Sequence, residues 1–231
     1  MTTIANNLQA VRRAITVAAA ARHPETVTLL AVSKTFPAEA IREAYQAGQT
    51  RFAENYVQEA LQKIRLLGDL NIEWHFIGPL QSNKTRQIAE HFCWVHSVDR
   101  LKIAERLSEQ RPPSLPPLQL CLQVNISGED SKSGVSPEAL PELAAQVAKL
   151  PGVALRGLMA VPAPDKDQTL LHAAFARLRH LQEQLNSQGY QLDTLSMGMS
   201  DDFAVAIAEG ATMLRIGSAI FGERNYLKGT A

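Results

Sequence analysis

Only two cysteines, Cys93 and Cys121, occur in 231 residues. Two thiols make no disulfide framework, and neither has a second Cys or His at zinc-finger spacing. Such sparse use fits a reducing, cytoplasmic setting. A surplus of charge of either sign is missing too, since Lys+Arg and Asp+Glu both number 23. That balance argues against nucleic acid or an anionic membrane as the main partner. No apolar run approaches the roughly 20 residues that span a bilayer. The N-terminal MTTIANNLQAVRRAITVAAAARHPE lacks the compact apolar core of a signal peptide and reads as a capped amphipathic helix. Asn125-Ile126-Ser127 forms a glycosylation sequon, but with no secretion signal beside it the match is chance. G-x-G-x-x-G, G-x-x-x-x-G-K-[ST] and H-E-x-x-H are all absent, which removes support for dinucleotide, P-loop and zincin chemistry.

What the chain does contain is an alternation. Hydrophobic residues make up 45% and charged residues 20%, as in an ordinary globular protein. Short apolar runs fall at 27–33, 50–53, 72–77, 93–98, 118–126, 153–160, 192–196 and 213–217. Between them lie stretches of helical period at 38–47, 55–67, 82–91, 99–110, 136–149, 167–188 and 201–209. Short strands alternating with helices imply parallel βαβ units. Eight units after an extra N-terminal helix predict a (β/α)₈ barrel, and typical barrels of about 250 residues leave no room for a second domain. The expectation is therefore an α/β fold with one domain over 1–231. The Pro-rich RPPSLPP at 111–117 reads as a stiff loop on the bottom face rather than a domain boundary.

Barrel enzymes place their chemistry at the C-terminal ends of the strands. The first such end here is Lys34, in LLAVSKTFP. In the plainer reading it snorkels to solvent and ends the strand. In the functional reading partial burial lowers its pKa, and a neutral amine attacks a carbonyl to form a Schiff base. The ends of the seventh and eighth strands, in SMGMSDDFAVAIAEG and RIGSAIFGER, carry small and hydroxyl residues before helices. Phosphate sites in such barrels often lie there, where glycine lets backbone N–H groups approach an anion. By itself Ser200 reads rather as an N-cap, with Asp201 and Asp202 complementing the helix dipole. Two such turns beside a strand-end lysine favour phosphate. Arg215 lies inside the eighth strand, either in a buried ion pair or donating to a pyridine nitrogen across the barrel mouth. A guanidinium does not yield its proton there. The ring nitrogen would stay unprotonated, which disfavours chemistry such as transamination.

AVSKTFP, FAENYVQEA, WHFIGPLQSNK, VNISGEDSKSGV, GLMAVP and LSMGMSDDFAVAIAEGATMLRIGSAIFGER together resemble the pyridoxal 5′-phosphate homeostasis protein family, itself similar to the barrel domain of alanine racemase. These motifs run from Val27 to Arg224 without a departure from the family's pattern. The resemblance implies a single-domain barrel with pyridoxal 5′-phosphate (PLP) on Lys34 as a Schiff base. It implies phosphate contacts from Ser196, Ser200, Gly217 and Ser218, and Arg215 toward the pyridine nitrogen. Asn55 would lie near the ring, and the Ile77-Gly78 turn would line the pocket.

Other conspicuous residues have plain explanations. His75, between Trp74 and Phe76, reads as core packing rather than proton transfer, and Lys132 as a solvated lysine in a loop after the fifth strand. Three functions remain: a PLP-binding protein that stores, delivers or buffers the cofactor without substantial turnover, a PLP-dependent racemase of low activity, and a cofactor-free Schiff-base lyase. Only about a dozen residues follow the eighth strand, whereas alanine racemases carry a C-terminal domain that supplies a tyrosine acid/base. The expectation is a monomeric carrier whose partners include apo PLP enzymes, with no metal.

Overall fold

The computed structural model describes residues 3–20, 27–128, 133–162 and 167–223. All eight apolar runs form strands: β1 Thr28–Val32, β2 Arg51–Glu54, β3 Glu73–Phe76, β4 Trp94–Val98, β5 Leu118–Gln123, β6 Val153–Met159, β7 Thr194–Ser196 and β8 Met213–Ile216. They pair in parallel and in chain order, and β8 closes on β1 through Thr28↔Met213 to Ala31↔Ile216. Around them pack α1 Ile4–Ala18, α2 Ala38–Gln46, α3 Val57–Leu66, α4 Thr85–His91, α5 Leu101–Gln110, α6 Leu140–Val147, α7 Gln168–Ser187, α8 Phe203–Ala208 and α9 Ser218–Phe221. Lys132, with the rest of 129–132, lies outside the described residues.

Strand periodicity divides the interior into two layers, because successive side chains point to opposite faces of a sheet. Ala31, Phe52, Phe76, Val95, Leu120, Leu122, Leu214 and Ile216 point outward into one large core against the helices. Leu30, Val32, Ala53, Trp94, Cys121, Met159 and Met213 form a smaller cluster inside the barrel. Burial pushes the Cys121 thiol up to about 12, so it stays protonated and behaves as a small apolar group. The inner layer is not wholly apolar. His75, His96, Ser196 and Arg215 are buried as well. The parity of Leu30 and Val32, carried two residues on, aims Lys34 toward the barrel mouth.

α1 is the expected extra helix. Thr3 caps it by accepting from the Asn6 N–H at 3.2 Å, and Leu8, Val11 and Ile15 form its buried face. Arg12 ties it to the turn before β2 through the carbonyls of Ala47 and Gly48, at 3.1 and 2.8 Å. Among the described residues no helix is long and apolar enough to cross a membrane.

Where expectation and structure differ, the helices start later. The expected 55–67 becomes Val57–Leu66, 82–91 becomes Thr85–His91, 136–149 becomes Leu140–Val147 and 201–209 becomes Phe203–Ala208. The residues released form the loops that carry strand-end chemistry. Before α8, for example, Asp202 Oδ1 accepts from the Met199 N–H at 2.6 Å and holds a turn in place of helix. The fifth strand ends at Gln123 rather than 126, and Val124 makes only an isolated bridge to Val135.

Candidate functional site

A cavity of about 330 Å³ opens at the C-terminal mouth of the barrel. Lys34, Asn55 and Ile77 line it from the ends of β1, β2 and β3. Ser200, Gly217 and Ser218 line it from the turns after β7 and β8, with Arg215 of β8 among them. Seven of the nine expected residues thus converge on one space. Val32, Met159, Val161, Met199 and Asp201 complete the walls. The four apolar ones did not stand out in the sequence, because apolar residues at strand ends look like core, and Asp201 read only as a complement to the helix dipole.

The other two expected residues are placed elsewhere. Ser196 does not line the cavity. It is fully buried, and its Oγ lies 2.7 Å from Arg215 Nη1 and 2.8 Å from His96 Nδ1. As an inward-facing residue of β7 it sits beneath the mouth, committed to protein partners. Gly78 is also absent from the lining. A Cβ there would meet the Asn55 carbonyl oxygen at 2.0 Å, so glycine lets the ends of β2 and β3 approach. Its own carbonyl accepts from Ser97 Oγ at 2.6 Å. Nor is Ser200 the N-cap of α8, since that position is Asp202. Ser200 Oγ instead accepts from Ser218 Oγ at 3.2 Å.

The turn that carries Lys34 is held from below by charges. Thr35 has φ 68, a left-handed conformation that a β-branched residue rarely adopts. Its N–H donates to Glu59 Oε1 at 2.6 Å. Lys63 of α3, nearly buried, donates to the Ser33 carbonyl at 2.7 Å, to Glu54 Oε1 at 2.8 Å and to Glu59 Oε1 at 2.5 Å. Ser33 Oγ adds a bond to Glu54 Oε1 at 2.6 Å. Both neighbours of Lys34 are therefore clamped by one ammonium and two carboxylates. Burial pushes the Glu54 carboxyl up, and Lys63 acts against that shift. Sequence reading missed this cluster. Glu59 and Lys63 look like an ordinary surface pair four residues apart on a helix.

Electrostatically the floor is cationic. Arg215 is 4% exposed and donates from Nη2 to the Ala160 carbonyl at 2.9 Å. Burial lowers its pKa to about 10, so it remains protonated at neutral pH. At one wall, Asn55 Oδ1 is buried with no hydrogen-bond partner. Buried polar atoms are rarely left so, and Asn55 is itself one of the residues that line the cavity.

Known proteins resemble this chain over most of its length. The alanine racemase N-terminal domain family matches residues 4–225. The pyridoxal phosphate homeostasis protein of Pseudomonas aeruginosa is 64% identical over 228 residues, covering 98% of both chains. Its Escherichia coli K12 counterpart is 55% identical over 233 residues, 99% of this chain and 100% of that one. PipY of Synechococcus elongatus, solved with PLP bound, superimposes with a TM-score of 0.84 at 42% identity, over 95% of this chain and all of that one. Alanine racemase of Corynebacterium glutamicum shares the fold, with a TM-score of 0.73 at 17% identity over 95% of this chain and 61% of its own. With a closed eight-stranded barrel, a strand-end lysine and relatives alike over nearly their whole length, this chain belongs to the pyridoxal phosphate homeostasis protein family, a single-domain branch of the alanine racemase barrel.

Proposed function

We propose that this protein binds PLP at Lys34 and holds it for storage and delivery inside the cell, without substantial turnover of amino acids. The observation that carries the reading is the convergence of Lys34, the Ser200–Ser218 hydroxyl pair, Arg215 and Asn55 on one cavity. These residues fit the group. The cavity's size suits a small cofactor. PLP supplies a reactive aldehyde on an electron-poor ring. Lys34 is the amine that attaches it. Ser200 and Ser218 offer hydroxyls for the phosphate, and Gly217 lines the cavity beside them. Arg215 donates toward the pyridine nitrogen and keeps its own proton, while Asn55 accepts near the ring. Ser196 acts through Arg215 and does not touch the phosphate.

Ionisable side chains that line the cavity among the described residues are Lys34, Asp201 and Arg215. A racemase needs two tuned acid/base groups on opposite faces, each worth about 10²–10⁴-fold. Asp201 is exposed at the rim, and Arg215 stays charged. That supports a carrier, which we further propose is monomeric and cytoplasmic and yields its cofactor to apo PLP enzymes. The test mixes PLP-loaded protein first with each common L-amino acid, following chirality and keto-acid release, and then with an apo enzyme, following regained activity. Transfer with at most trace racemisation is expected. Racemisation near the roughly 1–10³ s⁻¹ of ordinary enzymes would overturn the carrier reading.

The hydroxyl pair has its own test. Ser200→Ala combined with Ser218→Ala should weaken PLP binding by roughly 10- to 150-fold, since a hydrogen bond to a charged group is worth about 1.5–3 kcal/mol. Thermal stability should hardly change, because both side chains lie at the mouth. Unaltered affinity would move the phosphate elsewhere.

A further inference from the structure

Arg215 is a buried cation, and none of its hydrogen bonds among the described residues goes to a carboxylate. Burying a charge is costly unless its donors are satisfied, so what it donates to matters. Beyond the Ala160 carbonyl, its partner is Ser196 Oγ, and from there contacts continue through the barrel interior. Ser196 Oγ lies 2.8 Å from His96 Nδ1, His96 Nε2 lies 3.0 Å from His75 Nδ1, and His75 Nε2 lies 2.9 Å from Glu73 Oε1. Both histidines are fully buried. The file crosses from β8 and β7 to β4 and β3, and ends at the first residue of β3, on the mouth opposite the cavity.

Its two ends determine its direction. A guanidinium only donates and a carboxylate only accepts. Arg215 therefore donates to Ser196, and Glu73 accepts from the Nε2–H of His75. A neutral His75 is then bare at Nδ1, which takes the Nε2–H of His96. His96 is bare at Nδ1 in turn and takes the Ser196 hydroxyl proton. Every bond points from Arg215 to Glu73, and hydrogen bonds aligned in one sense polarise one another. Burial holds both imidazoles below their usual range, which keeps the rings neutral as this order requires.

We propose that Ser196, His96, His75 and Glu73 are positioning residues for Arg215: the directed chain fixes the guanidinium at the cavity floor and gives it a remote anionic counterweight. The inference rests on the reading of Arg215 as the partner of the PLP ring nitrogen. Other charges face the file. Arg51 of β2 holds Glu73 at 3.3 Å, and Asp202 before α8 acts on Arg215. The neutral Cys121 thiol lies beside Arg215, and Arg156 sits over the ring of Trp94, which stacks on His75.

Two measurements test it. Nitrogen NMR of the histidine-labelled, PLP-free protein should show His75 and His96 bare at Nδ1 and protonated at Nε2. Glu73→Gln, whose amide both donates and accepts, should admit the reversed tautomers at both rings. A protonated Nδ1 at either ring of the unaltered protein overturns the chain. With PLP, Ser196→Ala should weaken binding by roughly 2- to 12-fold, the size of one net hydrogen bond. Glu73→Gln, made at the half-exposed rim where folding is least at risk, should shift the pH dependence of the bound cofactor's absorbance. Borohydride should still label Lys34 in both variants. If the tautomers are as stated but neither PLP property moves, the link to Arg215 is wrong. Absence of Lys34 labelling in the unaltered protein would instead strike the cofactor reading and leave the tautomer result standing.

Discussion

Lys34→Ala is expected to abolish covalent attachment of PLP completely. After borohydride reduction of the loaded protein, peptide mapping should find the pyridoxyl group on the Lys34 peptide alone. The variant should carry no label and lose the visible absorbance of the bound cofactor. The reasons are positional. Lys34 continues the inward parity of Leu30 and Val32, and it lies on a cavity wall with the Ser200–Ser218 pair. The other described lysines lack that placement. Lys63 is committed to Ser33, Glu54 and Glu59, and Lys84 lies at the start of α4. Stability should change little, by about 0.5 kcal/mol or less, because the side chain projects from the mouth and not the core. Cofactor bound without a covalent link through the phosphate contacts should survive weakly. A label on Lys84 or Lys132 in the unaltered protein would refute the assignment.

Stability should fall steeply as the solution is acidified below about pH 6.5, the ordinary histidine pKa. His75 and His96 are fully buried, and burial depresses both, His96 more strongly because His75 and Arg215 also oppose its protonation. Folded, the two rings stay neutral. Unfolded, they take up protons at the ordinary pKa. In the window between the folded and unfolded values the unfolded chain binds more protons, so stability drops as pH falls. Each histidine contributes about 1.4 kcal/mol per pH unit there, and the pair about 2.7. Glu73 also has a depressed pKa, chiefly through its bond from His75, but its loss begins only in the carboxylate range near pH 4.5. Urea midpoints measured from pH 7.5 to 5 should show this slope. His96→Leu should be less stable at neutral pH yet show about half the slope. A flat profile over that range would mean that the pair is not held neutral.

Much of the architecture was legible from local pattern. Eight apolar runs became eight strands, and Lys34 sits in the turn two residues past the end of the first. The Gly/Ser turns after β7 and β8 do face the same cavity as Lys34. Helix starts were less legible, because Asn55 and Ser200 occupy turns held by tertiary contacts that helical period does not reveal. Ser196 is instructive. Its neighbourhood in LSMGMS resembles a phosphate turn, but strand parity points it into the barrel. Only the register between β7 and β8 shows that Arg215 is waiting there.

What the sequence determined by itself is the set of short-range properties: element type from hydrophobic period, parallel winding from alternation, and the lysine and small residues at strand ends. Those follow from the geometry of a single strand or helix, in which neighbours in sequence are neighbours in space. The tertiary structure decided the rest. Lys63 became a buried clamp and not a surface charge because α3 packs it beneath the ends of β1 and β2. His75 and His96 became links between Arg215 and Glu73 because barrel closure brings together residues up to 142 positions apart, as 215 and 73 are in the numbering. In water each of these groups is satisfied by solvent, and its chain neighbours carry no trace of its eventual partner. Burial removes the solvent and leaves each polar atom to be met by whatever the fold places within about 3 Å.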